Sequence, residues 1–156
     1  MIKTYRGNLA DQTQDRIRIK TNRGNVGYRI VKFQIAPALP GASSYESVVK
    51  IYKNKQTTID GSVDFTDGDL LAMAFLEGNA SNQYPDNIQV IFDHEIFNQD
   101  FYVTNFDADT GAACNYYIEL EQIMLNDNEA AMATLQSIRQ ICLLYTSDAA
   151  DEEDSV

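Results

Sequence analysis

Histidine, tryptophan, cysteine and proline are almost missing from this chain of 156 residues, and each shortage removes a class of explanation. His94 is the single histidine, so a catalytic zinc centre would lack the nitrogen and sulfur ligands it draws on. There is no tryptophan, and of the three prolines two sit together in Pro37-Ala-Leu-Pro40. No apolar run approaches the roughly 20 residues of a membrane span. Met1-Ile-Lys-Thr-Tyr-Arg6 leads straight into polar residues, with no signal-peptide core, so the product is expected to be soluble and intracellular at synthesis. Phosphate loops and dinucleotide fingerprints are missing. Gly61-Ser62-Val63 lacks the second glycine of a nucleophile elbow.

The last fifteen residues differ from the rest. Cys142-Leu-Leu-Tyr-Thr-Ser-Asp-Ala-Ala-Asp-Glu152 resembles, codon for codon, one frame of the transposase adapter DNA used in shotgun sequencing libraries, over eleven consecutive residues. Cys142 to Val156 is therefore expected to be a non-native, disordered tail, which leaves the natural C-terminus open beyond Ile141. Residues 1–141 then make one domain, long enough to bury about two thirds of its unfolded surface. Without the tail the formal charge of -11 becomes -6, twelve bases against eighteen acids, and Cys114 is left alone. A lone thiol forms no internal disulfide, so the fold must rest on its core.

Charge is strongly ordered along the chain. Up to Lys55, eleven bases face Asp11, Asp15 and Glu46; from Gln56 to Ile141, fifteen acids face only Arg139. Either one copy's basic surface meets another copy's acidic surface, steering association, or interleaved strands neutralise each other within one molecule.

Apolar residues recur mostly at every second position. Arg16–Thr21 sends Ile17 and Ile19 to one face, and Tyr28–Ile35, Ser47–Tyr52, Ile88–Phe92, Ile96-Phe97 and Phe101–Thr104 continue the strand pattern. Asn22-Arg-Gly-Asn25, Pro37–Ser44 and Asp60-Gly61 are the turn and loop signals, the last preceding Val63 and Phe65. Leu70–Leu76 admits a short helix capped by Asp67 or Asp69, but reads better as a strand buried on both faces. In Cys114–Ile123, Tyr116, Ile118 and Leu120 alternate with Tyr117, Glu119 and Glu121, which are expected to face water. One segment has helical period: Asn126 and Glu129 have capping-box spacing, and Met132, Leu135 and Ile138 form a stripe ending at Arg139, predicting a helix over about 127–140. About eight strands and one C-terminal helix predict an all-β fold, a single antiparallel β-sandwich or jelly-roll-like domain.

Chemistry is sparse. His94, in Asp93-His-Glu95, has carboxylate neighbours suited to a metal or a proton shuttle, but reads first as a hairpin turn residue. Cys114 reads as a buried small hydrophobe. Asp107-Ala-Asp-Thr-Gly111 begins as calcium loops begin, with Asp107 and Asp109 as metal ligands, because Ca²⁺ takes about six to eight oxygens on a bent backbone. The later acid of an EF-hand is missing, and the plainer reading is a turn rich in Asp for backbone hydrogen bonding. Asp64, Asp67 and Asp69 form a second acidic turn that would have to approach it. No cofactor is expected, calcium at Asp107 and Asp109 being the alternative. Arg16, Arg18 and Lys20 with Tyr28 suggest a basic aromatic patch, yet a net acidic domain repels phosphate and no binding motif accompanies it, so nucleic acid is not expected as a partner.

Tyr5-Arg-Gly-Asn-Leu-Ala10, Asp15-Arg-Ile-Arg-Ile19, Gly27–Phe33, Tyr45–Tyr52, Val90-Ile-Phe-Asp93, Phe97-Asn-Gln-Asp100 and Cys114–Glu121 together resemble a group of proteins common in environmental tailed-phage genomes. The resemblance spans Met1 to about Arg139 as a whole pattern, without a catalytic motif. It implies a virion-associated structural protein made in the host cytoplasm, non-enzymatic, and acting in a capsid or tail by packing against itself or other virion proteins. No functional residue carries over. Nine tyrosines would suit such interfaces, Tyr145 being in the tail. The alternative is a carbohydrate-binding sandwich using Tyr and Phe platforms, with calcium at Asp107 and Asp109. A hydrolase is weaker, since Glu119 and Glu121, two apart on a strand, share a face without converging.

Overall fold

The computed structural model describes residues 1–19, 24–41, 44–79 and 86–135; the adapter-like tail, and the end of the expected helix with Ile138 and Arg139, lie outside these. Eight strands run in order: β1 (Ile2–Leu9), β2 (Thr13–Ile17), β3 (Val26–Pro37), β4 (Tyr45–Tyr52), β5 (Leu70–Gly78), β6 (Asp86–Ile91), β7 (Phe101–Asp107) and β8 (Cys114–Met124). They form two antiparallel sheets, β1-β8-β3 and β2-β7-β4-β5-β6. A helix, α1, covers 127–135. The chain is thus an all-β sandwich with one short C-terminal helix. Among the described residues no helix is long and apolar enough to cross a membrane.

The connectivity is that of a ribbon rolled across two sheets. β1 lies beside β8, β2 beside β7 and β4 beside β5, three of the four pairings a jelly roll makes. The fourth, β3 with β6, is not made: β6 stays paired with β5 at the edge of the larger sheet, although β3 and β6 remain neighbours in space. That missing pairing shapes the surface described below.

The facing sides of the sheets close a core in which Tyr28, Ile30 and Phe33 of β3 and Ile118 and Leu120 of β8 meet Val49 and Ile51 of β4 and Phe101 and Val103 of β7. Burying each aliphatic or Phe side chain contributes about 1.5–3 kcal/mol. Leu70–Gly78 is a strand, as expected; its run of apolar residues is explained by β4 on one side, β6 on the other and cover on both faces. A bulge between Ile30 and Lys32 lets β3 keep Ile30 and Phe33 inside while Val31 turns out. Asn105, wholly buried on β7, donates from Nδ2 to the carbonyls of Leu9 (3.1 Å) and Ala112 (3.3 Å), tying the larger sheet to the end of β1.

The structure departs from the residue pattern at four places. β1 is a full strand that period-two reading passed over. Val63-Asp-Phe65 is not a strand: 53–69 is an irregular segment laid over the larger sheet, where the buried Lys50 ammonium donates to the Ser62 carbonyl (2.6 Å) and to Asp60 (3.3 Å). Ile96-Phe97 contributes only one bridge, Phe97 with Tyr28. β2 also ends at Ile17, earlier than Thr21, though Ile19 is still buried.

Part of the charge order along the chain is neutralised within the molecule. Arg16–Asp100, Arg29–Glu121, Lys32–Glu119, Lys50–Asp60 and Lys53–Glu95 form ion pairs. Each joins a base from the first 55 residues to an acid from beyond them.

The capping box forms reciprocally: Glu129 N–H donates to Asn126 Oδ1 (2.8 Å) and Asn126 N–H to Glu129 Oε2 (3.0 Å). The described part of the stripe, however, does not dock. Met132 and Leu135 are exposed, and the helix leans on the body through Ala133 and Thr134, whose hydroxyl accepts from Asn98 Nδ2 (3.0 Å). Small residues allow that approach where Met and Leu would hold the helix away.

Gln12, in the turn joining β1 to β2, has φ of 55°, a left-handed conformation that costs an L-residue roughly 1–2 kcal/mol. Gln12→Gly is expected to stabilise the fold by about 0.5 kcal/mol, strain relief less the extra entropy glycine loses. The urea midpoint should rise with unchanged slope; a fall would mean that the turn carries no strain.

Candidate functional site

The Asp107 turn is an internal brace. Asp107 Oδ1 accepts from the N–H groups of Asp109 (3.1 Å), Thr110 (2.9 Å) and Gly111 (3.1 Å), and Oδ2 from Glu46 N–H (3.1 Å) and Ser47 Oγ (2.9 Å). Gly111 completes the turn at φ of 74°. Burial pushes this carboxyl up, but the Ser47 hydroxyl and the backbone donors outweigh it and hold it below the usual carboxylate range. Five donors occupy its lone pairs, whereas a calcium ligand must aim them at the cation. Asp109 is exposed at the turn's tip. Asp64, Asp67 and Asp69 lie elsewhere. The Asp69 carbonyl accepts from Lys53 N–H just past the end of β4, while Asp107 bonds the start of β4. Asp69 is raised by burial, with Asn54 and Gln56 donating to it. Among the described residues no three His, Cys, Asp or Glu side chains gather as a metal ion requires.

The remaining candidates are also separate. His94 stands in a turn with its side chain 98 % exposed. Cys114 is wholly buried, and burial lifts its thiol to about 11, so it is unreactive at neutral pH. Glu119 accepts from the Tyr117 hydroxyl (2.8 Å) and pairs with Lys32, while Glu121 is held by Arg29; both face outward and neither meets a second free carboxyl. Arg16 is bound to Asp100, and Tyr28 is in the core with its hydroxyl accepting from Lys3, so the two do not share a surface.

What sequence reasoning missed is an open concavity of about 740 Å³ where β3 and β6 fail to pair. Its floor is the edge of the smaller sheet, where outward-facing residues are joined by Gly7, Ile35 and Tyr116 of the inward row. Arg6 of β1 stands opposite Tyr117 of β8, which stands opposite Gln34 of β3, so cation, aromatic ring and carboxamide form one row across three strands. Asn115, one position along the outward face of β8, adds a second amide, fixed by Asn8 Nδ2 donating to its Oδ1 (2.8 Å). The wall is β6. Its Ile88 and Val90 point away with Phe75 and Met73, whereas Asn87 and Gln89 point the other way and line the hollow, Gln89 donating to Asn87 (3.1 Å). Had β6 paired with β3, a strand would cover this edge.

Set against protein-family models, curated proteins and solved structures, the chain matches none of them.

The chemistry of the surface is then the guide. No carboxyl, imidazole, thiol or serine hydroxyl lines the concavity, so it holds no nucleophile beside a base. It can hydrogen-bond, stack and carry one positive charge. A second surface lies on the opposite side of β6. Ile88 is 56 % exposed there, and Phe65, itself 56 % exposed, packs edge-on against Phe92.

Proposed function

We propose that this chain is a non-enzymatic structural module of a tailed-phage particle, working by packing against copies of itself or neighbouring particle proteins. The observation that carries this is β6. The sandwich has four edge strands, and three are guarded: β1 carries Lys3 and Arg6, β2 carries Asp15 and Arg16, and β3 has Lys32, a bulge and Pro37. β6 follows Pro85, has Asp86 at its first residue and then Asn-Ile-Gln-Val-Ile, without Lys or bulge and with no Pro inside the strand, and with Ile88 in water. A monomer keeps such an edge short of partners only at the risk of aggregation; an assembly uses it as a joint. The resemblance of the whole pattern to proteins of environmental tailed phages supplies the setting.

The test has two levels. Gradient-purified phage particles carrying this gene, digested and read by mass spectrometry for peptides between Ile30 and Lys50, should yield many copies per particle when scaled to the major capsid protein. Absence where other particle proteins are detected would sink the proposal. In solution, Ile88→Lys should weaken self-association at least about tenfold by sedimentation, with stability changed by no more than about 0.5 kcal/mol, as for an exposed position. Unchanged association would remove β6 as the joint.

A further inference from the structure

We infer that the concavity between β3 and β6 binds an acidic oligosaccharide, a chain of sugars bearing ring carboxylates. This goes beyond the packing role and uses the other face of β6. Four lining side chains, Gln34, Asn87, Gln89 and Asn115, are carboxamides. Asn115 is held at both ends, by Asn8 and by the Pro37 carbonyl (3.4 Å), but the mutual bond of Gln89 and Asn87 leaves Asn87 Nδ2 and Gln89 Oε1 over, and with Gln34 these supply the donor and acceptor atoms that neighbouring hydroxyls on a sugar ring require. Lys32 Nζ stands over one face of the Tyr117 ring, 5.7 Å from its centroid, so the C–H side of a sugar would stack on the opposite face. The Arg6–Tyr117–Gln34 row spans about 10 Å, at about 4.8 Å per strand, room for linked rings laid across the sheet.

Charge sets the kind of sugar. Among the described residues Arg16, Arg29 and Lys32 each have a carboxylate partner, and Arg6, exposed at one end of the row, has none. Glu119, the nearest acid along the outward face of β8, is committed to Lys32 and Tyr117. A guanidinium takes a carboxylate through two parallel hydrogen bonds. A sugar carboxylate at Arg6 with hydroxyls along the amides satisfies every group in the row. An acidic peptide would satisfy Arg6 but bring few hydroxyls to the amides. The hollow is open and mixes amides with ring and aliphatic surface, suited to a strand of polymer rather than a buried small molecule.

Titration calorimetry of the full chain against hexameric oligogalacturonate tests this, with a neutral glucose hexamer and hexaglutamate as comparison ligands. The oligogalacturonate should bind, and Arg6→Gln and Tyr117→Ala should each weaken it at least about tenfold. Arg29→Gln, on the same sheet but outside the hollow, should leave binding unchanged. Each variant's urea midpoint is checked first, and Gln34→Ala stands in for any that does not fold. No binding at millimolar ligand overturns the inference, as do unchanged binding by Arg6→Gln, equal binding of the neutral hexamer, or equal binding of hexaglutamate, which would make the site a peptide or general anion site. The measurement uses isolated protein, so its outcome is independent of whether the chain is found on particles.

Discussion

Asp107→Ala is expected to lower stability by about 3–5 kcal/mol, among the largest losses any single polar substitution here should cause. The reasoning starts from where the five donors sit. The Asp109, Thr110 and Gly111 N–H groups are at an exposed turn and can turn to water once the carboxylate is gone. Ser47 Oγ cannot do so as easily, since Ser47 is 1 % exposed where β4 meets β7, and the Glu46 N–H beside it is part-buried. A buried donor left without a partner costs about 1–3 kcal/mol. The Ser47 hydroxyl at that cost, the part-buried Glu46 N–H at less and the loss of three bonds in the turn give the stated range. Asp107→Asn keeps the shape and part of the acceptance, so it should lose roughly half as much. The pH dependence has a fixed sign. Because the folded carboxyl is held below its ordinary value, its stabilisation is complete above about pH 4, the unfolded value, and is lost as pH falls through the lower folded one. Urea melts at pH 7 and pH 3 should therefore show a smaller acid loss for Asp107→Asn than for the parent. A loss under about 1 kcal/mol for Asp107→Ala would show that the β4–β7 ladder alone holds this end.

The same turn shows how far residue patterns reach. Asp107 and Gly111 were legible as turn residues because their conformational needs are local. β8 was legible because its alternation is unbroken, and β5 because a seven-residue apolar run between glycines is too short for a typical buried helix. β1 was not legible, since its inward positions include Lys3 and Gly7, which no apolar period reveals. Their reasons are tertiary. Lys3 lies 4.9 Å from the centroid of the Tyr28 ring and donates to its hydroxyl (2.9 Å). Gly7 leaves room for the Tyr116 ring of its cross-strand partner: a Cβ there would stand 2.5 Å from the Tyr116 hydroxyl. Gly78 and Tyr45 repeat that arrangement on β5 and β4. Conversely, Phe65 and Ile96 looked like strand residues because hydrophobicity does not say whether a backbone partner exists. The concavity was hidden for a different reason. Its polar residues come from β1, β3, β6 and β8, and each is merely the outward or amide half of an alternation. Only β6 remaining beside β5 makes them neighbours.

Phe101→Ala should cost about 3–5 kcal/mol, the usual range for removing a buried Phe. Phe101 is wholly buried on the inner face of β7 and makes edge contacts with Tyr5 of β1 (ring centroids 5.9 Å apart, planes at 87°) and with Phe97 (5.5 Å, 67°). Phe97 is bridged to Tyr28 of β3, so one side chain links β7 of the larger sheet to β1 and β3 of the smaller. Its removal leaves a void between layers that the hydrogen-bonded ladders on either side resist closing, which places the cost towards the upper part of the range. Phe101→Leu, which fills most of the space, should lose less than half as much. The aromatic geometry adds its own term. A double-mutant cycle of Tyr5→Leu with Phe101→Leu should show coupling of about 0.5–1.5 kcal/mol, measured by urea unfolding. Additive losses would mean that Phe101 acts through volume alone. Coupling at that level would make the Tyr5–Phe101–Phe97 contact a clamp that ties β7 of the larger sheet to β1 of the smaller.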